Sequence, residues 1–234
     1  MSLTPRWQPL DIARGLAVVA MVLFHTLWDV AHFGYISQSI PWSAPVKTLG
    51  HAIAFTFLFI AGVSLTLSHR DKIDWRGFLR RLIMVVSAAA MVSIGTYVAF
   101  PTAYVFFGIL HCIALASILA LPQLIARWQV SLFVGSCFFI LPIFFSSSAL
   151  NADHWQWLGL STSEPMTQDW RPLFPWAGAL FVGVAAGKRF AQCAKDKKIG
   201  TGPVSFLGRH SLIIYLLHQP VLFAFFTALT VLLP

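Results

Sequence analysis

Charge is the scarcest property of this sequence. Only 10% of its 234 residues are Asp, Glu, Lys or Arg, against 58% hydrophobic, and the mean hydropathy is +0.76. A soluble domain carries about a quarter charged residues, and this chain has too few to cover a surface in water. Acids are the rarer sign, 8 against 16 basic residues, leaving a net charge of +8. In a soluble protein that balance would suggest nucleic acid. Here the basic residues sit in short clusters between apolar runs, so topology explains them and no nucleic-acid partner is expected. Cysteine is scarce too. Cys112, Cys137 and Cys193 show no CxxC spacing, which argues against a disulfide framework or a structural zinc site, and no metal is expected. There is no internal repeat of about 20–50 residues, no HExxH pair for zinc hydrolysis and no GxSxG serine elbow. No clean small-x-small cleavage site follows the first apolar run, which therefore reads as a retained helix.

What the chain has is apolar length. Residues 12–31, 49–68, 79–99, 104–122, 129–147, 172–189 and 207–232 can each cross about 30 Å of hydrocarbon at about 1.5 Å per residue. The expectation is an all-α polytopic membrane protein of about seven transmembrane helices, forming one domain over residues 1–234, with Pro101 dividing the third helix from the fourth. With the N-terminus inside and the C-terminus outside, fourteen Lys and Arg face the cytosol and only Lys47 and Arg171 lie outside. The outer segments 32–48 and 148–171 carry Trp42, Trp155, Trp157 and Trp170. These read as a belt at headgroup level, with stacking on a sugar ring as the alternative. The inner "CAKDKKIGTGP" reads as a solvated loop whose lysines could meet anionic lipid or a phosphate-bearing ligand. Gly183 and Gly187 form a GxxxG that suits close helix packing.

Against this background the intramembrane polar residues stand out, since each costs at least about 2.5–3.5 kcal/mol at mid-membrane. Asp11 and Arg14 are i, i+3 neighbours at the inner mouth of the first helix, and His25 and Asp29 are i, i+4 neighbours higher up. Arg14 and His25 are eleven residues apart, about three turns and about 16 Å along one face. Topology places His111 and His218 in the same middle-to-outer layer, with His51 somewhat above. His51, and His32 and His154 in the loops, read as ordinary histidines satisfied by neighbours. An Asp beside His25 would orient its ring and raise its basicity, an arrangement used for general-base catalysis. His218, with Ser211 and Tyr215 on a nearby face, is the next candidate. The result is a base without its own nucleophile, suited to activating a substrate hydroxyl or amine.

"DIARGLAVVAMVLFHTLWD" (11–29) resembles the first helix of the membrane family that includes heparan-α-glucosaminide N-acetyltransferase and its bacterial relatives. "FTFLFIAGVSL" (55–65), "FGILHCIALA" (107–116), "FPWAGALFVGVAAG" (174–187) and "LGRHSLIIYLLHQPVL" (207–222) extend the resemblance, in order, over most of the chain. The Asp11–Arg14–His25 spacing and "SLIIYLLHQP" are also similar to the integral-membrane O-acyltransferases of bacterial polysaccharides.

The resemblance implies acyl transfer across the membrane, from cytosolic acetyl-CoA as co-substrate to an amine or hydroxyl of a sugar on the other side. His25 matches the key catalytic histidine of the O-acyltransferases, with Asp29 and His218 completing the catalytic set. Arg14 and, by position, Arg209 would sit where the CoA phosphates arrive, with Asp11 and His210 in the same cofactor-binding group. His111, His51, Tyr215, Ser211 and Trp176 would bind substrate. One departure is that the heparan enzyme carries its implicated histidine in the first outer loop. The implied partners are membrane lipids, acyl-CoA and a sugar or glycan acceptor, with a homodimer left open, and the implied location is a bacterial inner membrane. Two other readings stand beside this one. The chain could be a transport or small-molecule or lipid-binding protein with a histidine-lined cavity, or its histidines could be interhelical glue.

Overall fold

A computed structural model describes residues 7–69, 72–190 and 202–232. Arg6, Arg70, Cys193, Lys195, Lys197 and Lys198 of the sequence reading lie outside the described residues. The helices run α1 (Gln8–His32), α2 (Ala44–Ser68), α3 (Trp75–Ala99), α4 (Ile109–Leu119), α5 (Leu121–Ile125), α6 (Trp128–Phe144), α7 (Leu173–Phe190), α8 (Pro203–Arg209) and α9 (Ser211–Leu232). The architecture is all-α. Each expected apolar run contains a helix, but two runs are broken. Residues 103–108 are not helical, so α4 starts at Ile109 rather than near Tyr104, and His210 separates α8 from α9. By length and composition α1, α2, α3 and α9 can cross a membrane, and α4 and α6 are shorter apolar helices.

The chain divides into two compact units, one of Met1–Phe57 with Asp196–Pro234 and the other of Leu58–Lys195. In the first unit, α1 opens after Trp7 with a proline in its first turn, where the missing N–H costs nothing. Its buried positions include Asp11, Gly15, Val18, Met21 and Asp29, whereas Leu16, Val19 and Leu23 are exposed, Leu23 by 65%. The polar stripe therefore faces inward and the aliphatic face outward, as lipid demands. Backbone packs on backbone at the start of this seam. A Cβ at Gly15 would strike the Val204 carbonyl, and one at Gly208 would strike the Asp11 carbonyl. α9 lies along the upper part of α1, and Phe33 meets Phe223 and Phe226 at centroid separations of 5.1 and 5.8 Å. α9 also contains Pro220, which denies the Leu216 carbonyl its usual helical donor.

The second unit is built around α7, in which Ala177, Ala179, Leu180, Phe181 and Val184 are almost wholly enclosed. The far half of α2 packs onto it through glycines. A Cβ at Gly62 would meet the Leu180 carbonyl, and one at Gly183 the Phe59 carbonyl, while Gly187 abuts Thr66. Thr66 Oγ1 donates towards its own helix at Gly62 O and towards Val184 O, each at 3.3 Å. The GxxxG at Gly183 and Gly187 thus serves the close packing that its spacing suggests. On another side Gly135 of α6 faces Gly178 of α7. Near the end of α7, Lys188 Nζ donates to the carbonyls of Gln123 and Ala126, holding the end of α5.

The long segment before α7 explains the late start of α4. Gln168 N–H donates to Ala103 O (2.9 Å), Thr167 Oγ1 to Tyr104 O (2.7 Å) and Arg171 N–H to Phe107 O (3.2 Å). Ala103, Tyr104 and Phe107 thus give their carbonyls to this loop, and Val105 gives its own to Ser93, in place of helical bonds. These glycine contacts give a first prediction. Gly183→Ala should lower the melting temperature of the detergent-solubilised protein by several degrees, a cost of about 1–3 kcal/mol. Gly95→Ala, where a Cβ meets nothing within 4 Å, should leave it unchanged or raise it.

Candidate functional site

The first unit brings together the residues that the sequence singles out on α1 and α9. The rings of His25 and His218 lie 4.9 Å apart, centroid to centroid, at an interplanar angle of 57°. His218 Nδ1 is 2.7 Å from the Tyr215 carbonyl, which can only accept, so the ring proton is on Nδ1. That leaves Nε2 as a lone pair, and it is buried without a hydrogen-bond partner. A fixed N–H on one side and an unengaged lone pair on the other is the form a general base needs. The sequence puts the base at His25; the lone pair without a partner is on the neighbouring ring. Tyr215 and Ser211 share α9 with His218, one and two turns nearer its start.

Asp29 is 3% exposed. Its Oδ1 accepts from Gln219 Nε2 at 2.9 Å, and its Oδ2 has no partner. Gln219, a residue the sequence reading passed over, therefore orients the carboxylate that was expected to orient His25. The only local signal was its place beside His218. Trp28, next to Asp29, packs against Trp42 at 5.0 Å, and its indole N–H is buried and unpartnered. Trp42 in turn carries the Lys47 ammonium 5.0 Å from its ring centre, a cation–π contact. His51 is on α2 in the same unit, exposed.

At the other end of α1, Arg14 Nη1 donates to Asp11 Oδ1 at 2.8 Å. Gly208 touches the Asp11 backbone, so Arg209 and His210 follow at the same end of the seam. His210 folds back on α8, its ring 4.2 Å from that of Phe206 and Nδ1 donating to the Phe206 carbonyl at 2.9 Å. The four residues of the expected cofactor-binding group thus gather at one end of α1, and the imidazoles lie three turns along it.

His111 and Trp176 belong to the second unit. His111 is the third residue of α4, in its first turn, not two turns in as expected. Its Nδ1 accepts the Gly108 N–H at 3.2 Å, which puts the ring proton on Nε2, 3.3 Å from Ser93 Oγ. The Ser93 hydroxyl donates onward to the Val105 carbonyl at 2.6 Å. Both ring nitrogens are engaged. Asp169 Oδ2 accepts the adjacent Ile109 N–H at 2.9 Å, completing the helix start. Trp176 faces the Arg171 guanidinium, 5.0 Å from its ring centre. Among the described residues no group of three His, Cys, Asp or Glu is placed to hold a metal ion.

The profile of the family described as heparan-alpha-glucosaminide N-acetyltransferase, catalytic, matches residues 6–220 and so runs through both units. The chain belongs to that family. No curated protein and no solved structure matches it. Membership of the heparan-alpha-glucosaminide N-acetyltransferase family makes this a membrane protein of acetyltransferase-like function. The hydrogen bonds of His111 yield a prediction. His111→Ala should cost about 1–3 kcal/mol of stability, read as a lowered melting temperature. A variant that melts like wild type but binds substrate poorly would return His111 to a ligand-binding role.

Proposed function

We propose that the protein transfers an acyl group, acetyl above all, from cytosolic acyl-CoA to an amine or hydroxyl of a sugar or glycan at the outer face of the membrane. The observation that carries this reading is the His25–His218 pair, in which His218 Nε2 is a buried lone pair without a partner, enclosed between two apolar helices. The acceptor's N–H or O–H gives its proton to that nitrogen as the heteroatom bonds to the acyl carbon. The tilted ring of His25 lies beside it and helps to stabilise the positive charge that develops. Asp29, one turn above His25, supplies the compensating negative charge. When bound, acetyl-CoA supplies the acyl group and leaves as the thiol.

The opposite end of α1 suits the nucleotide end of such a donor. Arg14 and Arg209 offer guanidiniums to phosphate, Asp11 holds Arg14 in place, and His210 adds a ring nitrogen at the rim. From Arg14 to His25 is about 16 Å along the helix, which separates the phosphate end from the reacting end. Tyr215 and Ser211 line the route between them. His51, in the same unit as the histidine pair, keeps its expected acceptor-binding role, whereas the saturated ring of His111 favours a structural one. Seven spans, with the N-terminus in the cytosol and the C-terminus outside, complete the proposal and set donor and acceptor on opposite sides.

Transfer of labelled acetyl from acetyl-CoA to amino-sugar and sugar acceptors tests this directly. His218→Ala and His25→Ala should each lower kcat/KM by about 10²–10⁴, and Arg14→Ala should raise the KM for acetyl-CoA while leaving that for the acceptor in place. Wild-type rates in both histidine variants would defeat the reading. Solute flux in proteoliposomes without an acyl donor would favour a transporter. For topology, a single cysteine at Ser43 should react with an impermeant reagent from outside. One at Asp74 should react only after permeabilisation.

A further inference from the structure

The turn of α9 that carries His218 has more acceptors than donors. His218 Nδ1–H is spent on the Tyr215 carbonyl, leaving Nε2 as a pure acceptor. The Gln219 amide donates its N–H to Asp29 Oδ1, because a carboxylate oxygen can only accept. The amide's orientation is thereby fixed, and its other end, Oε1, is buried as an acceptor without a partner. Asp29 Oδ2 is a third. Pro220 also removes the helical donor that the Leu216 carbonyl on this turn would otherwise have. The Trp28 indole N–H, next to Asp29 in sequence, is a buried donor without a partner.

Such an imbalance is expensive between apolar helices. A buried acceptor without a donor costs about 1–3 kcal/mol, and an uncompensated carboxylate costs more. The same residues would be cheap to satisfy by one ligand that brings several N–H or O–H groups. A ligand rich in acceptors, such as a carboxylate or phosphate, would instead be repelled.

We infer that Gln219 is a positioning residue that clamps Asp29 through one oxygen, so that Asp29 Oδ2 and Gln219 Oε1 together select an acceptor bearing an ammonium or a pair of hydroxyl donors. The inference rests on the reading of this seam as the acceptor's site, and names the element that recognises the acceptor. Truncating Gln219 releases the Asp29 carboxylate and deletes one acceptor at once. Exchanging it for Glu keeps the shape, removes the clamp and adds negative charge, which favours a cationic ligand over a neutral one.

The test is equilibrium binding to the full chain in lipid nanodiscs, without acyl donor, using D-glucosamine, D-glucose and D-glucuronate as probes. Wild type should bind glucosamine and glucose in preference to glucuronate. Gln219→Leu, measured at a temperature where it remains folded, should weaken both by about tenfold or more. Gln219→Glu should raise the glucosamine-to-glucose preference, and Asp29→Asn should lower it. A purely structural contact would shift melting and leave that preference alone. Failure of wild type to bind any probe, wild-type binding by Gln219→Leu, or a loss that merely follows melting would each overturn the inference. Acetyl transfer is measured separately. The binding pattern without transfer removes the acyltransferase reading and keeps this one, and transfer without the pattern does the reverse.

Discussion

A helix can carry Asp11, Arg14, His25 and Asp29 through hydrocarbon only if another helix covers them, and in the first unit that cover depends on two glycines. Gly15 and Gly208 let α1 and α8 approach until backbone meets backbone. Asp11, His25 and Asp29 then lie along a seam that α8 and α9 close, and Leu16, Val19 and Leu23 are left on the exposed side. Backbone proximity of this kind supplies the packing that membranes otherwise lack, because lipid tails solvate leucine as well as protein does.

The second unit solves the same problem with different groups. Gly62, Gly183 and Gly187 bring α2 onto α7, and several polar groups there are paired locally: Thr66 with carbonyls of both helices, His111 with Gly108 and Ser93, and Asp169 with the start of α4. The contrast between the histidines is instructive. His111 has both nitrogens engaged, whereas His218 has one engaged and one unspent. His69, also in the second unit, has the same one-sided pattern as His218, with Nδ1 on the Leu65 carbonyl and Nε2 buried without a partner, so what distinguishes His218 is the His25 ring beside it.

Much of this was legible in the sequence. Apolar runs announce helices because the bilayer forbids other backbone states, and the 11–14–25–29 spacing on α1 shows that its polar residues share one face. The GxxxG at Gly183 was readable for the same reason. What escaped was long-range. Residues 103–108 look like helix by hydropathy, but the carbonyls of Ala103, Tyr104 and Phe107 bond to a loop some sixty residues later, and no periodicity encodes that. Asp29 and His25 look paired because i, i+4 neighbours meet, yet the hydrogen bond that orients Asp29 comes from Gln219, 190 residues away in sequence. Local spacing says which side chains share a face and nothing about who faces them.

Lys188 shows how differently two cations in one sequence-level tally can behave. It counts among the fourteen basic residues behind the orientation, on equal terms with Arg14 and Arg209. Its ammonium, however, is committed to the Gln123 and Ala126 carbonyls. A protein can therefore advertise its topology to the insertion machinery with charges that, once folded, it has withdrawn from circulation. Of the cations that set the orientation, only those left outside such cages remain to greet an anionic visitor.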